Sequence, residues 1–141
     1  MRYWAWQVGK DVGPPAHIQL FVLYNDPQLH PRVPHSLGLQ KGLLGVVHVF
    51  ASQREEGGNN VVIAHELLHT VGASDKYDLQ TNQPIFPIGY AEPDKKPSLP
   101  QTYAEIMAGR IPLSLTEARQ ARDFGDVMIG DYTAHEIHWI D

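Results

Sequence analysis

Cysteine is missing from all 141 residues. Disulfides and thiolate metal ligation are therefore excluded, so any metal here must be held by imidazole and carboxylate groups. Missing too is any block of Lys and Arg: the chain carries a formal net charge of −5, with a pI near 5.8. Nucleic acid binding and a polybasic membrane patch both need a concentrated positive face, so neither is expected. No apolar run approaches the roughly 18 residues of a membrane span. The opening Met1-Arg2-Tyr3-Trp4-Ala5-Trp6-Gln7 has no apolar stretch after its basic residue, so it does not read as a signal peptide. The compartment stays open between a cytosolic protein and a domain excised from an exported or membrane-anchored bacterial protein. Trp4 and Trp6 hint at a cut made near an interface.

What is present supports one folded domain over residues 1–141, with 1–16 as a peripheral segment. The apolar share of 43% is enough for a modest core. The 12 Gly and 11 Pro cluster between elements, which predicts long loops on a compact scaffold. Residues 17–24 read as an interior strand, and the stretch from Gly45 to Ala51, rich in β-branched residues, as a second strand. Asn59 or Asn60 is placed to cap a helix from Val61 to Val71, apolar on nearly every side and therefore buried. Gly72 stands where a left-handed C-terminal residue is wanted. Residues 79–102 form a Pro-rich loop whose length points to function. A short helix is expected over 117–122, capped by Ser114 or Thr116. A last helix is expected over 134–139, capped by Asp131 or Thr133.

The chemistry concentrates in His65-Glu66-Leu67-Leu68-His69-Thr70-Val71-Gly72-Ala73-Ser74-Asp75. Positions i and i+4 share one helix face, so His65 and His69 can point two imidazoles at one ion. Zinc accepts such nitrogens and favours four ligands. Glu66 lies roughly 100° round the helix from His65. It flanks the ion without having to ligate it, as a base acting on activated water must. Gly72 lets the chain turn sharply, and Asp75 can then fold back as a third ligand, leaving a fourth position for water. A bare HExxH can arise by chance, but two His and a Glu on a buried helix would be costly without partners.

This stretch resembles the extended metzincin motif, HExxHxxGxx followed by His or Asp. Its Asp form is similar to small bacterial peptidases of the snapalysin kind, in which the Asp ligates zinc and a Tyr follows, as Tyr77 does here. The resemblance implies an α+β fold of the zincin type, a small twisted mixed sheet packed on a buried active-site helix. It implies a C-terminal helix and a Met-turn placing a Met beneath the metal, for which Met107 in Ala104-Glu105-Ile106-Met107-Ala108-Gly109 is the good candidate. It also implies that a peptide substrate binds along an edge strand near Gly45–Ala51.

The expected activity is that of a zinc endopeptidase, with His65, His69 and Asp75 as metal ligands, Glu66 as general base and one catalytic zinc ion. Tyr77 is a candidate oxyanion donor, with Tyr103 and Arg110 behind it. Asp78 competes with Asp75 as the third ligand. Glu92 or Glu105 would serve in a design with a distant glutamate ligand, which leaves Gly72 and Asp75 unexplained. His135 and His138, three apart on the last helix, read as a solvated face before they read as a metal pair. Two other functions share these residues: a zinc-containing binding module that does not cleave, and an amidase on a non-peptide substrate.

Overall fold

The computed structural model describes residues 18–141; the expectations placed on 1–17 lie outside them. The order of elements begins with β1 (Gln19–Asn25), β2 (Leu37–Leu39) and β3 (Leu44–Phe50). A 3₁₀ turn at Gln53–Glu55 leads into the long helix α1 (Glu56–Thr70). After the long loop come β4 (Ala104–Glu105), β5 (Arg110–Pro112), β6 (Ala118–Gln120), β7 (Val127–Met128) and α2 (Asp131–Glu136). The mixed α and β content agrees with the sequence expectation.

The first three strands form one sheet in the order β1-β3-β2. β3 pairs parallel with β1 along its whole length, from Gln19 opposite Leu44 to Asn25 opposite Phe50. β2 pairs antiparallel with β3, Gly38 opposite Gly45. The strand expected at the edge is thus the central one, and the strand expected inside is an edge among the described residues. The cause lies in residues 40–43. Gly42 takes φ 109° and Leu43 φ 50°, which closes a hairpin and folds Leu37–Leu39 back onto β3. Three residues with a Gly at their centre carry no strand pattern, so β2 is hidden inside a Pro-rich stretch.

α1 packs on β2 and β3 and starts earlier than expected, at Glu56. Gly57-Gly58 reads as a turn but lies in its first turns. A Cβ on Gly57 would meet the Arg122 carbonyl, so close packing overrides glycine's poor helix propensity. Asn59 does not cap the helix. Its side chain accepts from Phe50 N (3.1 Å) and donates to Phe50 O (2.8 Å), pinning the helix to the end of β3.

The helix expected over 117–122 is instead half of a hairpin, β5 against β6, with Arg110 opposite Gln120. Ser114 Oγ accepts from Thr116 N and Glu117 N, and Leu113 N donates to Glu117 O. Ser114 thus acts as a cap, but of a reverse turn. The last helix runs Asp131–Glu136 from an N-cap at Gly130 and stops short of Trp139, because His138 adopts φ 57°. Two apolar clusters hold these pieces on α1. One joins Val61 to Ala104, Ile111 and Ala121, and the other joins Ala73, Ile106 and Met107 beneath Ala64 and Leu68. No helix among the described residues is long and apolar enough to cross a membrane.

β2 lies so close to α1 that a Cβ on Gly38 would collide with the Glu66 carbonyl and stand 2.6 Å from His69 Cβ. Neither atom is the free end of a flexible side chain. Gly38→Ala is expected to destabilise the fold by about 1–3 kcal/mol, as overpacking typically does. Denaturant unfolding of the purified variant checks it, and an unchanged midpoint would show that the strand and helix can separate freely.

Candidate metal centre

The site grows out of the last turn of α1. Val71 N donates to Leu68 O, Gly72 N to His69 O, and Ala73 N to Leu68 O. Gly72 takes φ 111°, the left-handed value that reverses the chain. A Cβ there would also crowd Gln40 Nε2 at 3.1 Å and the Glu136 carbonyl at 3.2 Å. The reversed chain then carries Asp75 back over His65 and His69.

The three side chains meet in a near-equilateral triangle. Asp75 Oδ1 lies 3.1 Å from His65 Nε2 and 3.1 Å from His69 Nε2, and the two nitrogens are 3.0 Å apart. Each ring's other nitrogen faces a carbonyl: His65 Nδ1 meets Ile106 O at 3.0 Å, and His69 Nδ1 meets Ala73 O at 2.8 Å. A carbonyl only accepts, so both Nδ1 atoms carry the proton, and both Nε2 atoms of the neutral rings are acceptors. Three acceptor atoms therefore point at one spot. A single added proton satisfies one pair of them, whereas one divalent cation satisfies all three. Tetrahedral zinc with bonds of about 2.0–2.1 Å separates its ligand atoms by about 3.3–3.4 Å, so the triangle needs to open by only a few tenths of an ångström. Two imidazoles and one carboxylate could hold such an ion.

The electrostatics follow from this crowding. Burial pushes the Asp75 carboxyl up, but when the rings also carry a proton at Nε2, hydrogen bonding from His65 and His69 outweighs it and holds the group well below the usual range. His69 is raised, chiefly by Asp75, against the opposing effect of burial. Glu66 is 7% exposed, and that burial raises its carboxyl although the two imidazoles pull it down. Tyr77 is half-buried with its ring centroid 6.4 Å from that of His65. Burial, with the nearby charges of Asp75 and Glu66, raises its phenol, so it keeps its proton and can donate. All five residues line one cavity of about 520 Å³, which His48, Asn82, Arg110 and Gln120 also line. The Nδ1 of His48 is buried there without a hydrogen-bond partner among the described residues.

The other candidates lie elsewhere. Asp78 is turned into its own loop, accepting from Gln80 N, Thr81 N and Thr81 Oγ1. Glu92 accepts from Thr102 N at 2.6 Å and stands 3.6 Å from Lys95. His135 and His138 are exposed, and neither joins a metal-competent group among the described residues.

Glu105 is fully buried and organises the turn carrying Met107. Its Oε2 accepts from Met107 N (2.6 Å), and its Oε1 accepts from Thr133 Oγ1 (2.6 Å) and Gly130 N (3.2 Å). Its carbonyl accepts from Ala108 N and Gly109 N, each at 2.9 Å. The turn so fixed presents Ile106 O to His65 and buries Met107 against Ala73 and Ile106. No local spacing announces this role, because Gly130 and Thr133 are 25 and 28 residues away. In comparisons with protein-family models, curated proteins and solved structures, the chain matches none.

Burial raises the Glu105 carboxyl, and the three donors only partly offset it. Glu105→Gln places an amide NH₂ against at least one of these donors, and is expected to destabilise the protein by about 2–3 kcal/mol, the scale of one hydrogen bond to a charged group. Chemical denaturation at neutral pH measures the loss. A variant as stable as the parent would mean that the donors contribute nothing through the charge.

Proposed function

We propose that this protein is a zinc-dependent endopeptidase. One observation carries the reading: two Nε2 acceptors and a carboxylate oxygen converge beside a buried glutamate, on a cavity of about 520 Å³. Three protein ligands of N and O type with an open side suit catalytic zinc better than calcium or magnesium, which prefer all-oxygen shells. The resemblance of His65 to Asp75 to the metzincin motif adds to this, and Met107 in its tight turn is compatible with the family's Met-turn.

Zinc, when bound, supplies Lewis acidity, bringing water into ionising range near neutral pH and polarising a peptide carbonyl. The chain's own residues do the rest. The Ile106 and Ala73 carbonyls lock both imidazoles with Nε2 facing inward. Glu66 takes the proton of the attacking water at its carboxylate and returns it to the leaving amine nitrogen, and its raised affinity for a proton suits that intermediate holding. Tyr77 donates its phenolic O–H to the oxygen that gains charge. The substrate backbone adds to an edge strand. We assign this role to β2, since β3, which carries the expected stretch from Gly45 to Ala51, is paired on both sides over residues 44–46. β2 has no second partner among the described residues and lines the cavity through Leu37 and Gly38.

Metal analysis of the purified chain is expected to find one zinc per molecule. Asp75→Ala should weaken zinc binding beyond the roughly 10–100-fold typical of an outer-shell change, while Asp78→Ala leaves it as it was. In a quenched-peptide library, Glu66→Gln should keep its zinc and lose roughly 10²–10⁴-fold in kcat/KM. A parent protein without stoichiometric zinc sinks the reading. Zinc without any cleavage would favour a metal-containing binding module.

A further inference from the structure

Asp75 makes no backbone hydrogen bond among the described residues, and its carboxylate meets side chains only, the two imidazoles at 3.1 Å and the nearby Tyr77 phenol. Its position is set by its neighbours. Ser74 donates to Glu136 twice, from N to Oε2 at 3.0 Å and from Oγ to Oε1 at 2.6 Å. Lys76, 1% exposed, donates from Nζ to Glu136 Oε2 at 2.6 Å and to Ser74 O at 3.1 Å. One carboxylate from α2 thus grips the residue before Asp75 and the residue after it. The Lys76 backbone is held from two further sides: its N donates to Met107 O (3.0 Å), and its O accepts from Ile85 N (2.9 Å).

Lys76 is hard to explain as packing. A fully buried ammonium is expensive to desolvate, and an apolar residue of similar length would fill the same space. What the ammonium adds is directionality: it fixes the Glu136 carboxylate and the Ser74 carbonyl together. We infer that Ser74, Lys76 and Glu136 are positioning residues for the metal ligand Asp75, clamping its backbone so that its carboxylate stays aimed at His65 and His69. The inference rests on the zinc reading above.

The test compares zinc dissociation constants, by chelator competition, for the full chain and three variants, with the visible absorption of their cobalt-substituted forms. Glu136→Gln leaves the Lys76 ammonium without its counter-charge and is expected to weaken zinc binding about tenfold or more, on the scale of outer-shell changes. Ser74→Ala, at an exposed position, should weaken it severalfold and shift the cobalt bands. The double variant Lys76→Met with Glu136→Gln removes the buried ammonium together with its half-exposed counter-charge, so its metal-free form should unfold close to the parent's midpoint while zinc binding stays weak. A purely structural pair would move the metal-free midpoint and leave affinity and the cobalt spectrum of folded molecules alone. Folded variants with the parent's zinc affinity and cobalt spectrum overturn the clamp alone. A parent that binds no zinc overturns the zinc reading and the clamp together.

Discussion

Two imidazole nitrogens and a carboxylate oxygen repel one another at about 3 Å when no proton or cation lies between them, and the site is built on that contact. It holds because each group is fixed from behind. The carbonyls of Ile106 and Ala73 bind the back nitrogens of the two rings. Ser74, Lys76 and Glu136 hold the chain on either side of Asp75. The stabilising bonds thus lie one layer outside the crowded atoms, as in sites organised to receive an ion.

Much of that outer layer passes through the turn at residues 104–109. Ile106 faces His65, Met107 O faces Lys76 N, and Met107 fills the space under Ala73. Glu105 gives the turn its shape and joins it to the start of α2 through Gly130 and Thr133. The end of α2 returns Glu136 to the Asp75 loop. One short helix therefore ties the turn beneath the site to the loop above it, its first turn held by the buried Glu105 carboxylate and its last turn supplying the half-exposed one of Glu136. Burying carboxylates is costly, and only the strong, short hydrogen bonds that charged groups make offset the cost.

This arrangement explains what could be read from the sequence. His65, Glu66, His69, Gly72 and Asp75 lie within eleven residues, and helical periodicity plus one left-handed glycine suffices to bring them together. The strand from Gly45 to Ala51 was visible for the same reason, since β-branched alternation is local. Its place in the sheet was not, because that depends on β2, a three-residue hairpin arm without a pattern. The segment 117–122 has the capping chemistry of a helix, but Ser114 caps a turn because β5 offers a pairing partner. Glu105 and Glu136 act across 25 to 62 residues of sequence, and nothing in their immediate neighbours distinguishes them from surface acids.

The relation of the sheet to the helix has its own consequence for the chemistry. A strand and a helix with ordinary side chains at their contact stand well apart. Here Gly38 removes the Cβ that would meet the Glu66 carbonyl, and β2 settles against the turn of α1 that carries both Glu66 and His69. The β2 edge of the sheet, unpaired among the described residues, the buried Glu66 and His69 are thereby held within a single contact. A peptide added to β2 would have its distance from Glu66 set by backbone packing and not by flexible side chains. Positioning of that kind counts in hydrolysis, where a displacement of about 1 Å at the reacting atoms can cost roughly a hundredfold in rate. The Gly at the centre of a barely recognisable strand is then as much a part of the site's geometry as the histidines, because it sets how closely the edge of the sheet approaches them.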